Sequence, residues 1–162
     1  MATTSDSARE FLRHALATVA YRGGKALRGA PREFSRFQVA EGSRTPEQIL
    51  CHICDLFDWA LTIAQGKEAW NAANPGEWND DVARFFATLA AFDKYLASSA
   101  PLGASPEMLF QAPIADALTH IGQIAMLRRI AGSPVRAENY SRAEIVAGRV
   151  GSEQTSPKHE FD

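Results

Sequence analysis

The sequence predicts an all-α protein, an antiparallel four-helix bundle with a short C-terminal helix. Three observations carry that prediction. Four stretches repeat their apolar residues at spacings of three and four, capping residues bracket most of them, and no run alternates with the period of a strand. The 162 residues are 46% hydrophobic and 22% charged, which suits one globular domain with a substantial core.

The first helix is expected from Ser7 to about Arg22. Ser7-Ala8-Arg9-Glu10 fits a capping box, and Phe11, Leu12, Ala15, Leu16 and Val19 continue as a stripe. Gly23-Gly24 is expected to weaken or end the helix, and His14, between stripe positions, reads as solvated. The pattern lapses from Ala30 to Arg44. A long ordered connection is expected there, anchored by Phe34, Phe37 and Val39.

The second helix starts at Thr45-Pro46-Glu47, an N-cap followed by a proline and an acid in the first turn. Ile49, Ile53, Leu56, Ala60 and Ile63 carry its stripe toward Gly66, and His52 is directed inward beside them. Asp55 and Asp58 fall off the centre of that stripe and read as solvated or rim-facing. Lys67 to Gly76 is a linker containing Trp70, and Asn74-Pro75-Gly76 signals a turn. Val82, Phe85, Leu89, Phe92 and Leu96 then give the third helix a bundle seam, from Asn79 or Asp80 to about Ser98.

Ser105-Pro106-Glu107 opens a short helical turn through Phe110. The fourth long helix is expected from Pro113, a residue suited to a first turn, to Gly132, suited to the left-handed position past a C-terminus. Arg128 and Arg129 lie in its last turn, where the helix dipole favours positive charge. Asp116 and His120 are four residues apart on one face, inside or beside a core-facing stripe, where an unpaired charge is costly. A further capping box, Ser141 to Glu144, predicts a short helix to about Ala147. Residues 1–151 are expected to form the domain, and residues 152–162 a polar, flexible tail.

Composition narrows the function classes. A net charge of −2 without a long basic run gives little support for nucleic acid as partner. No apolar run reaches the roughly 18 residues of a membrane span, and the N-terminal ten residues lack the pattern of a signal peptide. A cytoplasmic location is expected.

His52, Asp116 and His120 each have an ordinary reading alone: a core histidine bonded to a neighbour, and a charge-assisted pair on one helix face. Together, on facing helices of a bundle, they suit a metal site. Two imidazoles and a carboxylate are suitable ligands for zinc, nickel or iron(II), and three ligands leave positions open for water or substrate.

The segment THIGQIAMLRRIAG, with His120, Gly122, Gln123, Leu127, Arg128 and Gly132, resembles the signature helix of the DinB/YfiT-like superfamily. Ile49-Leu50-Cys51-His52-Ile53 resembles that family's second helix, which brings in a single histidine. The resemblance covers about Ser7 to Gly151. It implies an up-down-down-up bundle, frequently dimeric, holding a divalent metal by one His of the second helix and an HxxxH pair on the last long helix. The outer positions carry over to His52 and His120. The middle one is Asp116, where the family usually has His, which adds negative charge and alters metal preference. The family's members include thiol-dependent transferases and isomerases as well as proposed hydrolases. A small-molecule substrate, a low-molecular-weight thiol as co-substrate and a homodimer are therefore expected.

No general base is evident in the sequence. Glu138, Asn139 and Tyr140, after the fourth helix, are candidates for supporting the site, and Gln123 for hydrogen bonding at its edge. Cys51 and Cys54 share one side of a helix, so a redox pair is geometrically conceivable. They lack the helix-start context that lowers a thiol's pKa, and two small buried hydrophobes is the better account. Two alternatives to an enzyme stand beside the metal reading. One is a metal-free dimerisation or ligand-binding module in which Asp116 bonds His120, and the other is a thiol redox protein using Cys51 and Cys54.

Overall fold

The apolar stripes form helices where the spacing places them. In the computed structural model, which describes residues 4–161, the chain is mostly helical: α1 (Thr4–Leu27), α2 (Pro46–Ala64), α3 (Trp78–Leu96), the short α4 (Pro106–Leu109) and α5 (Ala115–Ile130). α2 packs against α3 and α5, and α1 packs against the same two, so the four long helices surround one core. Leu12, Leu16, Leu50, Ile53, Phe57, Phe85, Leu89, Phe92 and Ile114 are fully buried within it. Each such side chain contributes on the order of 1.5–3 kcal/mol of burial free energy. Among the described residues no helix is long and apolar enough to cross a membrane.

α1 runs straight through Gly23-Gly24 to Leu27, beyond the expected end. The glycines serve packing rather than termination. A Cβ on Gly23 would lie 2.5 Å from Phe85 Cζ, so its bareness lets α1 and α3 approach. The last turn of α1 is then held by Arg128 of α5, whose guanidinium donates to the carbonyls of Ala26 and Arg28 at 3.0 Å each. Arg128 is itself buried, so it acts as a cap on another helix more than as a partner of its own dipole.

The connection from α1 to α2 contains a 3-10 turn, Arg32–Arg36, that buries Phe34 against the edge of Trp78. Val39, expected as an anchor, is half exposed. α2 begins as its sequence dictates: the Thr45 hydroxyl accepts from Gln48 N and the Gln48 side chain accepts from Thr45 N. Asp55 departs from expectation. It is buried, accepting from Arg84 Nη2 at 2.6 Å and from Ala73 N at 3.1 Å. Asp58 shares the same Arg84 nitrogen at 2.6 Å and stays on the rim. An arginine on α3 therefore draws both carboxylates to one side of α2.

Pro113 does not open a helix. It lies inside a five-residue π-helical stretch, Phe110–Ile114, that joins α4 to α5. The wider turn accommodates a proline, which has no N–H to donate, and shifts the phase of the following residues. At the other end Gly132 takes φ +79°, as a helix C-terminus favours.

The short helix expected after Ser141 is absent. A 3-10 turn, Tyr140–Arg142, stands in its place, and a two-residue antiparallel ladder pairs Ala137–Glu138 with Glu160–Phe161. That ladder was not legible as a strand pattern, because two residues carry no alternation. It ties the far end of the expected flexible tail back to the helices, with Glu160 2.8 Å from Lys25 Nζ. Asp162 lies outside the described residues.

Candidate metal centre

His52 comes from the middle of α2, and Asp116 and His120 come from the first two turns of α5. The structure brings all three together. One ligand atom from each lies within 4.8 Å of the others, a cluster that could hold a metal ion. Asp116 reaches both imidazoles, with Oδ2 3.7 Å from His52 Nε2 and Oδ1 3.5 Å from His120 Nε2. Both distances exceed the usual hydrogen-bond range of about 2.7–3.2 Å. The two distances run to different carboxylate oxygens, and the cluster spans up to 4.8 Å. An ion with ligands at about 2.1 Å, roughly 3.4 Å apart around a tetrahedron, would draw the side chains closer together.

The phase of α5 explains the cluster's position. Ala117, Ile121, Ile124 and Leu127 are buried, whereas Asp116 and His120 lie on the flank of that face, beside α2. Of the two placements the sequence allows, inside or beside the core-facing stripe, the pair takes the second. The imidazoles are the more enclosed groups, with 24% and 12% of their side chains exposed against 46% for Asp116. The carboxylate therefore marks the side open to solvent.

Each imidazole has a neighbour that orients it. His120 Nδ1 lies 2.8 Å from Gln123 Oε1, one turn along the same helix. Nδ1–H donating to that oxygen leaves the Nε2 lone pair directed toward Asp116. The His52 and His120 rings meet edge to face with centroids 4.8 Å apart, and the ring of Trp70, from the loop after α2, has its centroid 5.7 Å from that of His52. Trp70 in turn meets Trp59 edge-on at 5.8 Å. Burial, His120 and Arg44 lower the pKa of His52, against the raising effect of Asp116 and Asp55. The neutral imidazole, the form that ligates metals, is thereby favoured.

Of the supporting residues read from sequence, Gln123 is at the cluster and three are occupied elsewhere. Glu138 is buried, accepting from Tyr21 Oη at 2.6 Å and from Lys25 Nζ at 2.7 Å. Asn139 caps the 3-10 turn, accepting from Ser141 N at 3.2 Å. Tyr140 packs edge-on against Tyr21 and lies beneath the Arg22 guanidinium. Sequence reasoning missed Asp55 as the residue that holds Trp70's loop through Ala73 N, because Asp55 is off its helix's stripe and carries no periodic signal.

Both cysteines are buried. Burial raises both thiol pKa values, that of Cys54 far above its ordinary value. Cys51 Sγ lies 3.8 Å from Arg84 Nη1 and Cys54 Sγ 3.7 Å from the Asp81 carbonyl. This is the environment of inert packing thiols rather than of reactive ones. In comparison with known proteins, no family model, curated protein or solved structure matches the chain.

Proposed function

We propose that this chain is a DinB/YfiT-like protein in which His52, Asp116 and His120 hold one divalent cation, and that it carries out metal-dependent hydrolysis or thiol transfer on a small molecule. The single observation that carries this reading is the convergence of the two Nε2 atoms on Asp116 at 3.5 and 3.7 Å without a hydrogen bond between them. A metal-free module would be expected to close the Asp116–His120 pair into such a bond. His120 instead bonds Gln123 and keeps its other nitrogen free for the cluster.

Two nitrogens and one oxygen favour zinc or nickel, with iron(II) also compatible. A bound cation would supply Lewis acidity toward water, a thiol or a substrate oxygen. The chain's own part is to position donors and shape the surroundings. Gln123 fixes one imidazole, Trp70 shields the other, and Asp116 offsets positive charge. The mutual packing of α1 and α2 with α3 and α5 fits the up-down-down-up bundle, and a cytoplasmic homodimer completes the proposal.

The test is metal analysis of protein purified without a histidine tag, after zinc, nickel and iron(II) are offered in turn. One ion per chain, lost in His52→Ala, is expected. Substoichiometric metal in the parent protein with all three ions would overturn the reading.

A further inference from the structure

Beside the cluster, a groove of about 480 Å³ runs between α2 and the segment that leads into α5. Asp116 belongs to both. Its walls are set by the helix phases already described. Leu56, one turn beyond His52, and Trp59 face it from α2, and Ala112 and Ala115 face it from the π-helical stretch and the start of α5. The volume falls within the range of small-molecule sites, and two alanines opposite a tryptophan leave the space a planar or branched apolar group would fill.

The polar groups of the groove are few and differ in what they can still bind. The Thr119 hydroxyl donates to Ala115 O at 3.1 Å, so its proton is committed within the helix. Gln111 is exposed at the rim. Asp116, the one ionisable residue in the lining, belongs to the proposed cation cluster, and the remaining walls carry no Lys, Arg, His or acid. A charged tail lying along those walls would thus find no partner of opposite sign.

We infer that this groove receives the uncharged, apolar body of the substrate while a polar head sits at His52, Asp116 and His120, and that Ala112 and Ala115 set the size of that body. The inference rests on the metal reading of the cluster. It goes beyond that reading by naming the substrate class, a small neutral molecule with a metal-seeking head and an apolar end.

The experiment uses cobalt(II)-loaded protein and three hydroxamates as probes, followed by visible absorption. Benzohydroxamate is expected to bind about tenfold or more tighter than acetohydroxamate, as an added apolar group in a fitting pocket does. The para-carboxy derivative of benzohydroxamate is expected to lose that advantage. Ala115→Phe, which fills the groove, should bring the ratio of benzohydroxamate to acetohydroxamate affinity, read within the one cobalt-loaded variant, to about unity. Ala112→Leu should act in the same direction and guards against a folding defect in the first variant. Equal affinities in the parent protein, or a preference surviving in both variants, would overturn the inference.

Failure of the parent protein to take up one cobalt per chain would instead reject the metal reading. The groove is then tested alone by titrating benzamide against tryptophan fluorescence. A saturable change abolished by Ala115→Phe supports an apolar site, and no change overturns it.

Discussion

His120 and Gln123 form a hydrogen-bonded pair one turn apart on α5, Nδ1 to Oε1 at 2.8 Å. The pair fixes which nitrogen of His120 faces Asp116 and His52. Gln123 is solvent-exposed, so its contribution to the fold is small. Gln123→Ala is therefore expected to lower zinc affinity about 10-fold or more, as loss of an orienting partner of a ligating histidine does, with unfolding unchanged. Calorimetric titration of zinc, beside a urea denaturation curve, checks both halves.

The thiols give a sharper negative expectation. Native protein should react with Ellman's reagent slowly or not at all at neutral pH, and denatured protein should release two equivalents for Cys51 and Cys54. A double Cys→Ser variant should keep its metal affinity. Rapid reaction of Cys54 in native protein would revive the redox alternative, because burial holds that thiol protonated.

Much of this arrangement was legible in the sequence, and the parts that were not share a cause. The Thr45 cap, the α2 and α3 stripes and the Gly132 terminus follow from local chemistry, and the structure keeps them. Gly23 read as a breaker because its packing partner, Phe85, lies more than sixty residues away in sequence. Asp55 read as solvated because nothing local announces Arg84. The convergence of His52 with Asp116 and His120 is legible from helix phase together with the resemblance to the DinB/YfiT-like helices. The neighbouring Trp70 left no trace in any periodicity.

Gly23 offers a direct test of the α1–α3 contact. Its missing Cβ would sit 2.5 Å from Phe85 Cζ, inside any normal van der Waals distance. Gly23→Ala is expected to destabilise the protein by about 1–3 kcal/mol through overpacking, although alanine favours helices elsewhere. Gly23→Ala combined with Phe85→Leu should recover part of the loss. Equilibrium urea unfolding reads both.

Glu138 is expected to matter for stability and not for metal. Glu138→Ala would leave Lys25 buried with one of its two carboxylate partners removed, and a loss of about 3–5 kcal/mol is expected, with zinc affinity unaltered. The same network sets the alkaline limit. Burial lowers the Lys25 pKa, but its bonds to Glu138 and Glu160 outweigh this and leave it raised. Burial and Glu138 together raise that of Tyr21. Both groups therefore hold their protons more tightly when folded. Their contribution is complete below the unfolded values of about 10 and declines as pH rises toward the folded ones. Thermal stability measured from pH 8 to 12 should fall from about pH 10 upward, and Tyr21→Phe should soften that fall.

The most direct measurement of the central claim is anomalous scattering from crystals of protein loaded with zinc or nickel. One peak is expected within about 2.0–2.2 Å of His52 Nε2, His120 Nε2 and an Asp116 carboxylate oxygen, and it should vanish in His120→Ala. A peak at Cys51 and Cys54, or none between α2 and α5 in metal-loaded protein, would contradict the account.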